Sequence, residues 1–227
     1  MRALIFDFDG TILDTERTEF LAWQEVFREH GAELTLEFWL PCVGTNDVPF
    51  EPSRHLERMV GRSLDHPQIE AHIKARKAEL NSQLEPMRGV VDLLEAAPGL
   101  GLQLAVASSS RLAWVEGHLR RLGLWQHFEV VRTKEDVERT KPDPALFIKA
   151  AEALGLPPAQ TVVIEDSLNG VKAAKSAGAY TVAVPNFLTR HLDLSPADLV
   201  LECLCDLRPE ELLDQARSGR GQTPASV

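Results

Sequence analysis

At 227 residues the chain can bury a substantial core, either as one large domain or as a medium one carrying an insert, and a bare minimal module is excluded. Hydrophobic residues make up 44% and charged residues 26%, with 14 glycines and 14 prolines, a composition that excludes wholesale disorder, collagen and coiled coil. Lys and Arg number 24 against 34 Asp and Glu, and a formal net charge of −10 repels the phosphate backbone that supplies most nucleic-acid affinity, so generic DNA or RNA binding is excluded as well.

The first expected strand runs from Leu4 to Phe8, and the motif Phe6-Asp7-Phe8-Asp9-Gly10-Thr11 straddles its end. With the period of two of extended chain, Asp7 and Asp9 share one side and Phe6 and Phe8 the other, so two carboxylates converge at the strand's carboxyl end. Two adjacent acids repel unless a cation sits between them, and hard oxygen ligands point to magnesium. Gly10 comes too early for the register of a calcium-binding EF-hand loop.

From Asp14 to Pro86 the pattern is helical throughout: Phe20, Trp23, Val26 and Phe27 share one face, and a later helix opens at His66-Pro67 and carries Ile69, Ile73, Leu80 and Leu84. Beyond it the apolar runs Leu102 to Ala107, Phe128 to Val131, Thr161 to Ile164 and Tyr180 to Val184 read as strands, each apolar throughout, as parallel strands covered on both faces are. Helices follow them: one capped by Ser110 and stopped at Gly123, one opened by Asp143-Pro144 and ended at Gly155, one begun at Ser167 and closed at Gly178. Alternating strands and helices imply an α/β fold, a doubly wound parallel sheet with its ligands beyond the carboxyl ends of the strands. The expected division is a sheet domain of residues 1–13 plus 87–227 with an inserted all-helical domain of residues 14–86.

Three further fragments lie where such a sheet puts its chemistry. Glu165-Asp166-Ser167 repeats the arrangement of paired acids at a strand end and completes a metal cage with Asp7 and Asp9. Ser108, followed by Ser109 and Ser110, offers hydroxyls and helix amides to an anion. Lys141 precedes the rigid Pro142-Asp143-Pro144. Cys203 and Cys205 read as reduced packing residues, and the tail after about Arg217 as disordered. No apolar run approaches the roughly 18 residues of a membrane span, and a cytoplasmic protein is expected.

In this order, Asp7 to Thr11, Ser108, Lys141-Pro142 and Glu165 to Ser167 resemble the four signatures of the haloacid dehalogenase superfamily of phosphotransferases, across nearly the whole chain. The helical insert resembles the cap of its β-phosphoglucomutase-like phosphatases. The resemblance implies a Mg2+-dependent phosphatase of a small phosphorylated metabolite such as a sugar phosphate, acting as a monomer or weak homodimer away from membranes and nucleic acid. Asp7 is then the nucleophile that becomes an aspartyl phosphate, and Asp9 the acid and base. The metal set is Asp7, the Asp9 main-chain carbonyl and Asp166, with Glu165 and Ser167 in support. Ser108, Ser109 and Lys141 bind the phosphoryl group, and Gly44 and Lys77 of the cap bind substrate. Where many relatives carry a His three residues after the Asp-Thr-Glu that opens the cap, this chain has Glu19, and Gly44-Thr45-Asn46-Asp47 lacks the arginine that holds a mutase's second phosphate. Both departures count against a phosphomutase. A haloacid dehalogenase would not need Asp9, and a phospho-accepting regulatory protein would need neither Asp9 nor a cap.

Overall fold

The computed structural model describes residues 1–40, 43 and 51–220; Gly44, with Thr45, Asn46 and Asp47, lies outside the described residues. The strands are β1 (Ala3–Phe6), β2 (Gln103–Ala107), β3 (Val130–Arg132), β4 (Thr161–Glu165), β5 (Tyr180–Ala183) and β6 (Leu199–Val200), joined in one sheet of order β3-β2-β1-β4-β5-β6. Every pairing is parallel, and the register sets Phe6 beside Val106 on one flank and Ile164 on the other. The sixth strand, two residues long, has no run of its own that a pattern could reveal.

The strands are apolar throughout because both faces are covered. Leu4, Phe6, Leu104, Val106, Val162, Ile164 and Val182 enter one core, whereas Ala3, Ile5, Ala105, Ala107 and Val163 enter the other. Alternate residues therefore face opposite cores, as the period of two requires. The helices around the sheet are α5 (Val90–Ala96), α6 (Leu112–Arg121), α7 (Ala145–Ala153), α8 (Leu168–Ala177) and α9 (Pro209–Arg220), after the insert helices α1 (Thr15–Glu29), α2 (Leu36–Trp39), α3 (Pro52–Val60) and α4 (His66–Ser82). Helix α9 continues through Ser218 to Arg220, so the part of the expected disordered tail that is described is helical.

Among the described residues 14–86 there is no strand, and their apolar side chains make a separate core. Phe20, Trp23, Val26 and Phe27 of α1 meet Leu56 of α3 and Ile69 and Ile73 of α4, and Leu188 from the loop after β5 joins them. Thr18 ties α1 to α4 by donating to Asn81 Oδ1 at 2.6 Å. The two ends of the insert lie side by side, since the Met87 amide donates to the Ile12 carbonyl at 2.9 Å.

Three local expectations change. Phe8 falls outside β1 because the chain turns at Gly10, where the Gly10 amide donates to the Leu13 carbonyl and the Phe8 carbonyl accepts from Ile12 and Leu13. Ser110 does not cap α6, whose capping residue is Arg111 with no side-chain cap bond; the Ser110 hydroxyl is used elsewhere. Cys203 and Cys205 are joined as a disulfide, their Cα atoms 5.1 Å apart and so within bridging range, in place of the reduced pair expected. Ser167 does cap α8, accepting from the Gly170 amide at 3.1 Å.

Phe27 is fully buried at the centre of the insert's core. Phe27→Ala should lower stability by about 3–5 kcal/mol. Urea unfolding checks this, and a change below about 1 kcal/mol would show that the insert does not fold around Phe27.

Candidate active site

Register places the acids. With Phe6, Val106 and Ile164 aligned, the next residues outward are Asp7, Ala107 and Glu165, and the Asp7 amide donates to the Ile164 carbonyl at 2.9 Å. In the order 3-2-1-4-5-6 the connections leave β1 and β4 in opposite directions, which opens a crevice at their carboxyl ends. Asp7 and the pair Glu165-Asp166 stand there.

The site is buried and nearly all acidic. Asp7 is 7%, Asp166 1% and Glu165 0% exposed, and ligand oxygens of the three lie within 4.8 Å of one another. Lys141 is the cation among them: its ammonium donates to Asp7 Oδ1, donates to Glu165 Oε1 at 2.7 Å, and rests 4.7 Å from the centre of the Phe147 ring. The second Glu165 oxygen accepts from the amides of Asp166 and Ser167 at 2.9 Å each and from the Ser167 hydroxyl at 3.0 Å. Asp166 accepts from Thr11 at 3.1 Å and from Asn186 Nδ2 at 2.8 Å.

Two glycines are forced by this crowding. Gly10 has φ +87°, and a Cβ there would lie 2.5 Å from Asp166 Oδ2. At Gly170, in the first turn of α8, a Cβ would overlap Glu165 Oε1 at 1.7 Å.

Asp9 stands apart, half-buried, its side chain outside the carboxylate cluster. Its Oδ1 accepts from the Thr15 hydroxyl at 2.7 Å and from Trp114 Nε1 at 2.9 Å, and its Oδ2 accepts from the Ser110 hydroxyl at 2.5 Å. Ser108, 1% exposed, directly follows β2 and accepts from the Ser110 amide at 3.0 Å, with half-buried Ser109 following it. Lys77, expected toward substrate, donates to Glu19 at 2.7 Å, a charge pair internal to the insert.

Sequence reasoning treated Glu16 only as part of the Asp-Thr-Glu that opens the insert. In the fold one of its carboxylate oxygens is buried without a hydrogen-bond partner. Burial first, then the charges of Asp9 and Asp7, push its pKa up to about 8. Burial likewise pushes Asp7 up to about 7 against the pull of Lys141, and burial followed by the charge of Glu16 raises Asp166. The two carboxylates flanking Lys141 hold its ammonium in the charged form despite burial. Thr11, Asn186, Thr15, Ser110 and Trp114 complete the set that sequence reasoning missed or assigned elsewhere. Their one local signal is position: Asn186 and Ser110, like the recognised acids, lie just beyond a strand's carboxyl end.

A family model described as haloacid dehalogenase-like hydrolase matches residues 4–184. The chain is 43% identical over 218 residues to the YhcW protein of Bacillus subtilis, covering 96% of this chain and 99% of that one. It is 30% identical over 214 residues to a phosphorylated carbohydrates phosphatase of Thermotoga maritima, covering 94% and 97%. A crystal structure of CbbY from Rhodobacter sphaeroides in complex with phosphate superposes with a TM-score of 0.69 at 29% identity, covering 91% of this chain and 96% of that one. The chain belongs to the haloacid dehalogenase-like hydrolase family and is an enzyme of its phosphatase type, a phosphoric monoester hydrolase. Its fold is the α/β sheet of that family with an inserted helical cap. No helix among the described residues is long and apolar enough to cross a membrane.

The raised acids give a sign to the pH dependence of the metal-free protein. Their ordinary pKa values are 3.8 for Asp7 and Asp166 and 4.5 for Glu16, so between those values and the raised ones the folded state holds more protons than the unfolded state. The associated stability is complete below about pH 4 and is lost as pH rises toward 8. The Tm in EDTA should fall across that window, and Glu16→Gln should recover part of the loss at pH 8. Calorimetry against pH tests this, and a Tm that rises from pH 5 to 8 in EDTA would refute it.

Proposed function

We propose that this enzyme hydrolyses phosphate monoesters of small metabolites, of the sugar phosphate class, through an aspartyl phosphate on Asp7 with Mg2+ as cofactor. The observation that carries the reading is the pairing of Asp7 with Lys141 beside two more acids at the crevice between β1 and β4. Lys141 orients the Asp7 carboxylate and offers positive charge to the phosphoryl oxygens that must approach it. Ser108, at the end of the neighbouring strand, and the amides that follow it supply further donors. Asp7 forms the new bond to phosphorus as the ester bond breaks. Asp9, outside the cluster and half-buried, gives the leaving oxygen a proton and later takes one from the water that releases phosphate.

The donor set fits a hard dication. Three carboxylates have oxygens within 4.8 Å of one another while one ammonium bonds only two of them, Asp7 and Glu165, and an orphaned buried oxygen of Glu16 adds to the negative field. Asp7, Asp166 and the Asp9 main-chain carbonyl would hold the ion, which when bound would neutralise charge on the transferring phosphoryl group. Glu165, whose oxygens already accept from Lys141, Ser167 and two amides, supports the set as an anchor for Lys141.

The sheet domain, residues 1–13 plus 87–227, carries this chemistry, and residues 14–86 form the cap that closes over it; the contact of Met87 with Ile12 supports that division. The Lys77–Glu19 pair favours a phosphatase over a phosphomutase, because a cation neutralised within the cap is a weak grip on a second phosphate. The relative named for phosphorylated carbohydrates supports the sugar phosphate class.

Asp7→Asn should cut turnover of every ester by about 10⁴-fold or more. Asp9→Asn should still accept phosphate from an activated donor but hold it as a stable phosphoenzyme. A panel of phosphorylated metabolites with and without Mg2+, followed by acid-quench detection of phosphoenzyme, measures both. Turnover by Asp7→Asn near the wild-type rate would end the nucleophile assignment.

A further inference from the structure

Asp9 is the acid on which the proposed reaction turns, and its partners divide into two chemical kinds. The Ser110 and Thr15 hydroxyls can each donate or accept, whereas the Trp114 indole N–H can only donate. The indole is aimed at Asp9 Oδ1 at 2.9 Å and Ser110 at Oδ2 at 2.5 Å. A proton on Oδ1 would turn the oxygen that faces the indole N–H into a hydroxyl, a weaker acceptor, and would force the Thr15 hydroxyl, 2.7 Å from the same oxygen, to turn from donor to acceptor. A proton on Oδ2 leaves both bonds to Oδ1 in place, and the Ser110 hydroxyl can turn and accept it. Trp114 is itself held: it lies in the first turn of α6, and the His118 ring packs edge-on against it with centroids 4.3 Å apart. The buried Nδ1 of His118 lacks a hydrogen-bond partner, and burial lowers that ring's pKa.

We propose that Trp114 is a positioning residue for the acid–base step, its obligate N–H donor fixing Oδ2 of Asp9 as the oxygen that carries the proton toward the leaving group. The inference rests on the assignment of Asp9 as acid and base made above. As the ester's phosphorus–oxygen bond breaks and the Asp7–phosphorus bond forms, the leaving oxygen takes the proton from Oδ2. Asp9 is left as the carboxylate that accepts a proton from water in the second half-reaction, when water attacks phosphorus and the Asp7–phosphorus bond breaks. Ser110 holds the place of the leaving oxygen until substrate arrives.

A leaving group that departs unaided separates this role from a structural one. Phosphoenzyme formation in a single turnover is measured for wild type and Trp114→Phe with p-nitrophenyl phosphate, whose phenolate needs no proton to leave, and with phenyl phosphate, which depends far more on one. Trp114→Phe should slow the phenyl ester about tenfold and the nitrophenyl ester less than twofold, a fraction of what a general acid supplies. Equal slowing of both esters, or slowing of neither, overturns the proposal. A second measurement needs no tryptophan variant: of the four indole N–H resonances in ¹⁵N-labelled protein, one should move in Asp9→Asn while the others stay. If none moves, the bond to Asp9 is absent in solution and the proposal falls. Wild-type protein that transfers phosphate from neither ester would end the phosphatase reading itself, and with it this inference. Wild-type transfer that is lost in Asp7→Asn leaves the phosphatase reading standing whatever Trp114→Phe does.

Discussion

The fold is organised around an electrostatic conflict. Asp7, Glu165 and Asp166 are buried at the carboxyl ends of two neighbouring strands with Glu16 and Asp9 close by, and the ammonium of Lys141 bonds to two of them. Charges in so sheltered a place interact far more strongly than in water, so the arrangement survives only if protons or a cation relieve it. The upward displacement of the Asp7, Glu16 and Asp166 carboxyls is the proton solution, and a bound dication is the other. The burial that makes the cluster costly in the metal-free protein is what would favour the proposed dication.

The rest of the structure carries that conflict without collapsing. A parallel sheet covered on both faces gives β1 and β4 a fixed register, which sets Asp7 and Glu165 side by side. Thr11, Asn186, Ser167 and the first amides of the β4–α8 turn then satisfy the individual oxygens, and Gly10 and Gly170 leave the room they occupy. Asp9 is held differently. Asp9 lies outside the cluster, where two hydroxyls and an indole bond it and solvent still reaches it, which suits the acid–base role proposed for it. The cap joins this machinery at several points: Thr15 opens α1 and reaches Asp9, Leu188 leaves the sheet side to enter the cap's core, and Arg121 of α6 donates to the Leu84 carbonyl at 2.8 Å.

Much of this was legible in the residues. The sheet and its helices could be read because parallel strands buried on both faces announce themselves as unbroken apolar runs, and glycines such as Gly123, Gly155 and Gly178 end the helices after β2, β3 and β4 as expected. β6, with two residues, carried too short a pattern, and Phe8 was placed in β1 because the turn at Gly10 leaves no mark on the alternation before it. Ser110 illustrates the same limit. A serine ahead of an amphipathic helix satisfies every local criterion for a cap, and only its bond to Asp9 removes it from that role.

The sequence alone determined the order of the elements and the acids that end β1 and β4, because both follow from alternation and burial within a few residues. The tertiary structure decided how those acids are used. Trp114 and Ser110 meet Asp9 across 105 and 101 residues, Asn186 meets Asp166 across 20, and Lys77 meets Glu19 across 58. No local periodicity encodes such contacts, since they exist only once α6 has packed beside β1 and α4 against α1. The motifs name the acids; which groups bond Asp9, and which acid pairs with Lys77, was settled by packing.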